Sequence, residues 1–311
     1  MQAHRWMVAA TAVAAMTVLA GCGSAVAGGD AVSASGTGGA AAKISVVTST
    51  NVYGNIAGQI AGDRAAVTSL ISSPDADPHE FEASPHDQLA LSRADLVIEN
   101  GGGYDDFVDT MLGAVGRHIT VLNAVNISGK KAQGGELNEH VWYDLSSMIT
   151  LADRIAAALT ALDPAGADTF AANAADFRSE VRKLVAQTAS ISHVHHGEGV
   201  AITEPVPLYL LQACGLDNRT LEGFSEAVED DTDVPPLVLQ RTLDLFAAGR
   251  VALLVYNEQT TGPATQRVLD AAKEHHIPVV PVTETLPAGQ DYQSWMHGNL
   301  TAIQRALDRT Q

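Results

Sequence analysis

A chain of 311 residues with 46% hydrophobic side chains is long enough for two lobes or one large domain. It carries 36 acidic against 18 basic residues, a net charge of −18, which argues against nucleic acid or an anionic membrane surface as a partner and favours cations. With two cysteines, Cys22 and Cys214, it is not a disulfide-built fold.

Residues 1–21 read as a secretory signal. Arg5 supplies the positive end, and residues 7–19 form an apolar or small-residue run too short to span a bilayer stably. The run ends in Leu19-Ala20-Gly21-Cys22, which resembles the bacterial lipobox, whose cysteine is lipidated and becomes the mature N-terminus. An ordinary cleaved signal is the alternative. Lipidation of Cys22 leaves Cys214 as a single thiol, expected to be a small buried apolar residue. Residues 22–42 are dominated by Gly, Ala, Ser and Thr and cannot bury a core. They read as a flexible tether with a reach of roughly 25 Å.

From Lys43 strand-like and helix-like runs alternate. Residues 44–48 read as a strand, 53–62 as a helix and 67–71 as a second strand. In Asp75-Ala76-Asp77-Pro78-His79, the Asp-Pro step holds the backbone extended and presents His79 among Asp75, Asp77, Glu80 and Glu82. Ser84 followed by Pro85 predicts an N-cap with proline at the first helical position, opening a helix over 84–93. A third strand over 95–99 is closed by Asn100-Gly101-Gly102-Gly103. That glycine triplet lacks the GxGxxG and GxxxxGK[ST] spacings of nucleotide loops. Residues 104–112 read as helix and 119–122 as a fourth strand.

A polar loop over 126–139 leads into His140-Val141-Trp142-Tyr143-Asp144, and two helical segments follow as far as Leu162-Asp163-Pro164. Phe170, Ala174, Phe177, Val181, Leu184, Thr188 and Ile191 then recur at alternating spacings of four and three. They form one face of a helix over about 165–191, roughly 40 Å long and longer than one lobe needs. The tract His193-Val194-His195-His196-Gly197-Glu198 reads either as a helix end favoured by the dipole or as auxiliary metal contacts through His193, His195 and His196.

The second half repeats the alternation, with strands over 200–203, 217–221, 251–256 and 279–282. Helices are expected over 208–213, 235–247, 263–275 and 292–307, and an acidic loop over 222–233. Short apolar runs between helices indicate mostly parallel sheets covered on both faces. The expected class is therefore α/β. Two similar lobes, 43–162 and 193–311, each a mostly parallel sheet flanked by helices, are joined by one long linking helix at 163–192.

Four ligand-capable residues stand at comparable points of this pattern. Glu204 follows the strand over 200–203, and Glu284 lies two residues beyond the strand over 279–282. His79 follows the second strand, and His140 follows the loop after the fourth. Ligands in open α/β sheets bind beyond the carboxyl ends of the strands, so lobes facing each other by those edges would bring all four together. Each alone reads as a solvated glutamate or a loop histidine; the shared position favours a common site. Two neutral imidazoles and two carboxylates would neutralise a divalent ion and suit Zn²⁺ or Mn²⁺ better than Ca²⁺. A closed tetrahedral set favours carriage over hydrolysis, and the chain has neither HExxH nor GxSxG.

At these residues the chain resembles the cluster of ABC-transporter solute-binding lipoproteins for zinc and manganese. Asp77-Pro78-His79 and Ser84-Pro85-His86-Asp87 match the family's DPH…PS…D motif, which carries its first ligand. Glu139-His140-Val141-Trp142-Tyr143-Asp144-Leu145 keeps the HVW core of the second motif without its prolines. Glu204, eleven residues before Gly215-Leu216, matches the third ligand, and Thr283-Glu284-Thr285 stands where the family usually has Thr-Asp-Ser. Leu162-Asp163-Pro164 and the helix after it are similar to the family's rigid linking helix. Zinc members often carry a long acidic, histidine-rich loop before the second histidine, which residues 126–139 lack, and manganese members usually have Glu then Asp at the last two places. The histidine tract and zinc's greater affinity for mixed nitrogen and oxygen donors make zinc the expectation over manganese.

The resemblance implies an extracytoplasmic receptor, held to the membrane by a lipid on Cys22. It would capture Zn²⁺ or Mn²⁺ and deliver it to an ABC transporter permease, as a monomer, without nucleic acid and without making or breaking a bond. An extracellular zinc-dependent hydrolase and a metal-binding adhesin are the alternatives. Both histidines must be neutral to ligate, so metal affinity is expected to fall as pH drops through about 6, given an unperturbed histidine pKa near 6.5. Metal release that is flat from about pH 8 to pH 5 would contradict a histidine-containing site.

Overall fold

The computed structural model describes residues 43–73, 81–132 and 136–309. The signal at 1–21, the tether with Cys22, and His79 lie outside the described residues. The first sheet begins with β1 (Ile44–Thr50), followed by α1 (Asn51–Ala61) and β2 (Ala65–Ile71). Next come α2 (Pro85–Ser92), β3 (Leu96–Glu99), α3 (Asp106–Gly113), β4 (Thr120–Asn123) and α4 (Ala124–Ser128). The strands are parallel in the order β2-β1-β3-β4. Every residue of β3 is buried, as a central strand covered on both faces requires. α2 starts where the sequence predicts. Ser84 and Asp87 exchange side-chain and backbone hydrogen bonds in a capping box, with Pro85 at the first helical position.

Two long helices follow. α5 (Leu145–Leu162) is continuous where two segments were expected, and α6 (Ala167–His195) runs for 29 residues, about 44 Å. The buried face of α6 is the predicted one, extended by His195. The second sheet contains β5 (Gly199–Ile202), α7 (Leu208–Ala213), β6 (Asp217–Asn218), α8 (Glu222–Glu229), α9 (Pro236–Ala247), β7 (Leu253–Asn257), α10 (Pro263–Glu274), β8 (Val279–Val282) and α11 (Tyr292–Asp308). These strands are also parallel, in the order β6-β5-β7-β8. Pro281 is tolerated because β8 is an edge strand. The acidic stretch over 222–233, expected as a loop, opens with a helix instead. Phe224 and Val228, four residues apart, give α8 a buried face that its glutamates obscure in the sequence.

One apolar core runs through both lobes, with α6 packed against α1, α5 and α11. At the seam the Tyr143 hydroxyl donates to the Thr283 carbonyl at 2.7 Å and the Tyr292 hydroxyl to the Trp142 carbonyl at 2.7 Å. Asn51 donates to the Leu286 carbonyl at 2.9 Å and accepts the Leu286 N–H at 2.8 Å. The lobes are thus joined by far more than the linking helix. Cys214 is buried, and burial pushes its thiol up to about 12, so it behaves as the inert small side chain expected.

Two outcomes follow from this packing. Phe177 is buried on α6 against the Tyr292 ring, so Phe177→Ala is expected to cost about 3–5 kcal/mol in urea unfolding. Val194→Ala on the exposed side should stay within about 0.5 kcal/mol. Burial, helped by Asp109, Asp105 and Asp106, outweighs the Asn123 hydrogen bond and pushes the Glu99 carboxyl up to about 7. The folded chain therefore holds a proton that the unfolded chain releases. The stabilisation is complete below the ordinary glutamate range and is lost as pH rises through about 7. Glu99→Gln should raise the urea midpoint at about pH 8 and leave it unchanged near pH 4.

Candidate metal centre

β5 and β7 are neighbours, with β6 outside one and β8 outside the other, so the winding reverses between them. Side chains leaving the carboxyl ends of strands at such a point face a crevice. Glu204 leaves there just beyond β5, Asn257 is the last residue of β7, and Glu284 lies just beyond β8. The Asn257 N–H donates to Thr203 Oγ1 at 3.0 Å. Its side-chain amide nitrogen donates to Glu204 Oε2 at 2.5 Å and to Glu284 Oε1 at 2.9 Å. Gln259 Oε1 accepts the Glu284 N–H at 2.5 Å and holds that turn.

The first lobe meets these carboxylates through two loops. After β3, the Asp105 carboxylate accepts the N–H groups of Asn100 at 2.6 Å and Gly101 at 2.7 Å. The chain reverses there through three glycines with positive φ, and a Cβ on Gly101 would collide with the Asn123 amide. The reversal delivers Tyr104, whose hydroxyl donates to Glu284 Oε2 at 3.1 Å. Burial, reinforced by Glu284, holds the Tyr104 hydroxyl well above its ordinary pKa, so it stays a donor.

His140 comes in on the second loop. Asn138 Oδ1 accepts the His140 N–H at 3.0 Å and lies 2.8 Å from His140 Nδ1. A backbone N–H only donates, so this Asn138 atom is an acceptor and Nδ1 carries the proton. That leaves the lone pair on Nε2. The Asn138 amide nitrogen donates across the lobes to the Pro205 carbonyl at 3.1 Å, one residue from Glu204. His140 Nε2 lies 3.9 Å from Glu284 Oε2 and 3.5 Å from Glu229 Oε1.

Of the four predicted ligands, His140, Glu204 and Glu284 come together and are buried, with exposures of 0%, 2% and 1%. His79 lies outside the described residues. The histidine tract is not brought to this centre: α6 ends at the start of β5, while Glu204 stands beyond its other end. His195 instead bridges Glu198 at 3.0 Å and Asp308 at 3.2 Å, and His193 and His196 are exposed.

Sequence reading missed Tyr104, Asn138, Asn257, Gln259 and Glu229. The strand-end rule that selects Glu204 also covers Asn257. Glu222, Glu226 and Glu229 stand at helical spacing and line one wall of a cleft of about 650 Å³ together with Glu136, Glu139 and Asp230. Glu229 is the member that reaches His140. Burial, then the charges of Glu139, Glu284 and Glu204, hold its carboxyl far above the usual glutamate range. Glu139, His140 and Glu229 each offer a ligand atom within 4.8 Å of the others. A buried imidazole whose Nε2 faces carboxylates at 3.5 and 3.9 Å is a donor set for a first-row dication.

Comparison with known proteins agrees with this chemistry. The family profile described as zinc-uptake complex component A, periplasmic, matches residues 46–306. The chain is 31% identical over 299 residues to the metal ABC transporter substrate-binding lipoprotein FimA of Streptococcus parasanguinis, covering 87% of this chain and 91% of that one. It is 25% identical over 239 residues to the manganese-binding lipoprotein MntA of Bacillus subtilis, covering 75% of this chain and 76% of the relative. Its fold is similar to the periplasmic zinc binding protein TroA of Treponema pallidum, with a TM-score of 0.73 and 19% identity over 86% of this chain and 99% of that chain.

Because one amide orients both glutamates, Asn257→Ala is expected to weaken divalent-metal binding by about 10- to 100-fold while the far-ultraviolet spectrum stays unchanged. Unaltered affinity in calorimetry would show that the carboxylates orient themselves.

Proposed function

This chain belongs to the periplasmic zinc-uptake complex component A family, whose members are solute-binding receptors and not enzymes, and on that footing we propose that it captures one divalent transition-metal ion outside the cytoplasm and delivers it to an ABC permease. The observation that carries the proposal is the meeting of His140, Glu204 and Glu284 at one buried point, two of them on a shared amide. His79 completes the set as the fourth ligand, by the DPH motif and its place beyond β2. Two neutral imidazoles and two carboxylates match a dication in charge. Zinc is the cargo we assign over manganese, since it binds the more tightly of the two to mixed nitrogen and oxygen donors. The manganese named for MntA keeps that ion as the competing cargo.

The receptor is a monomer, anchored to the membrane by a lipid on Cys22 and free to turn on the tether of residues 22–42. Its lobes, 43–162 and 193–311 on either side of the helix at 163–192, share one core, which favours capture by small movements at the centre over wide lobe closure.

Calorimetric titration of the metal-free protein is expected to give one tight site per chain. His79→Ala or Glu204→Ala should weaken it severely. A double variant that still binds one ion at full strength would sink the assignment, and elemental analysis followed by Zn²⁺ and Mn²⁺ competition identifies the cargo.

A further inference from the structure

We propose that Glu229 is a further metal ligand of this centre, contributed by α8, and that its carboxylate narrows the advantage of zinc over manganese. The inference rests on the metal-receptor reading above and deepens it.

Position is the first argument. Hydrogen bonding to Asn138 makes Nε2 the coordinating nitrogen of His140, and Glu229 Oε1 lies 3.5 Å from it. Ligand atoms held about 2.1 Å from one ion stand roughly 3.4 Å apart at the tetrahedral angle. Glu229 thus stands at ligand-to-ligand spacing from His140, closer than the 3.9 Å that separates Nε2 from Glu284 Oε2.

Burial is the second. The Glu229 side chain is only 9% exposed, and its Oε2 accepts no hydrogen bond among the described residues. A buried carboxyl oxygen without a hydrogen-bond partner is expensive to fold around, and among the described residues no hydrogen bond to Oε2 accounts for its inward orientation. The contrast with Glu284 is plain: Tyr104 and Asn257 both donate to that side chain. Glu229 also stands where the cleft lined by Glu136, Glu139, Glu222 and Glu226 reaches the centre, so an ion passing along that wall meets it beside His140.

Coordination chemistry is the third. Zinc held by protein side chains is satisfied by four ligands, whereas carboxylate-rich sets with more donors suit manganese. An added oxygen from Glu229 is of use to an ion that takes five or six ligands and of little use to a four-coordinate one. It also sets a further negative charge against the dication.

The test uses the full-length protein and two ions, Mn²⁺ and Zn²⁺, titrated separately against competing chelators. Glu229→Gln keeps the shape and removes the charge. Mn²⁺ affinity is expected to fall at least tenfold and Zn²⁺ affinity no more than about threefold. Glu229→Asp keeps the charge but withdraws the oxygens by one methylene, and it should lose Mn²⁺ affinity as well; retention there would reduce Glu229 to a distant charge and overturn its role as a ligand. Losses equal for the two ions, or affinities within twofold of the parent in Glu229→Gln, would overturn the proposal. Failure of the parent protein to bind either ion would instead defeat the metal-receptor reading itself. The low-temperature Mn²⁺ resonance spectrum of the loaded protein gives an independent readout, since losing a ligand changes the zero-field splitting.

Discussion

Two carboxylates buried side by side repel each other, and a protein holds them together by donating hydrogen bonds, supplying positive charge or keeping one protonated. A lysine or arginine between Glu204 and Glu284 would cancel the field that attracts a dication. The amide of Asn257 donates to one oxygen of each carboxylate and leaves their charge intact. Its own position is secured by the bond from its N–H to Thr203 Oγ1, at the carboxyl edge where β5 and β7 part company. Sheet topology therefore comes first, then the amide, and the charged groups follow from both.

The same hierarchy explains how the lobes cooperate. Glu284 is held from one lobe by Asn257 and Gln259 and from the other by Tyr104, while Asn138 orients His140 and reaches over to Pro205. These polar ties sit on a buried aromatic seam around Trp142, Tyr143, Tyr292 and Trp295. Opening the lobes widely would expose that seam and break its hydrogen bonds together. The geometry of the centre is in this sense prepaid during folding.

Much of this was legible in the residues. Alternating apolar runs and helices led to two parallel sheets, and the spacing from Phe170 to Ile191 led to the buried face of α6. The strand-end rule points to His79, His140, Glu204 and Glu284, the last three of which lie within the described residues. What stayed hidden was of two kinds. Asn257 has no ligand chemistry of its own, and its role exists only once Glu204 and Glu284, 53 and 27 residues away in the chain, lie side by side. α8 was hidden by composition: Glu222, Glu226 and Glu229 read as solvated charge, and its short apolar face of Phe224 and Val228 was too brief to reveal a helix. The histidine tract left two readings open, a helix end or auxiliary metal contacts. His195 fastens the end of α6 to Glu198 and to Asp308 on α11.

Strand order is the same in the two sheets, β2-β1-β3-β4 and β6-β5-β7-β8, so β3 and β7 hold equivalent places. Asn100 stands just past β3 and Asn257 ends β7. Asn100 steadies the Glu139 carbonyl at 3.0 Å, one residue before His140, as Asn257 steadies the two glutamates. The molecule has the organisation of a tandem duplication, a dimer written on one chain, with His140 and Glu284 3.9 Å apart where the two halves meet. Among the described residues one copy supplies the imidazole and the other the buried glutamates. That division lets the oxygen donors on one sheet be altered while the nitrogen donor on the other keeps its place.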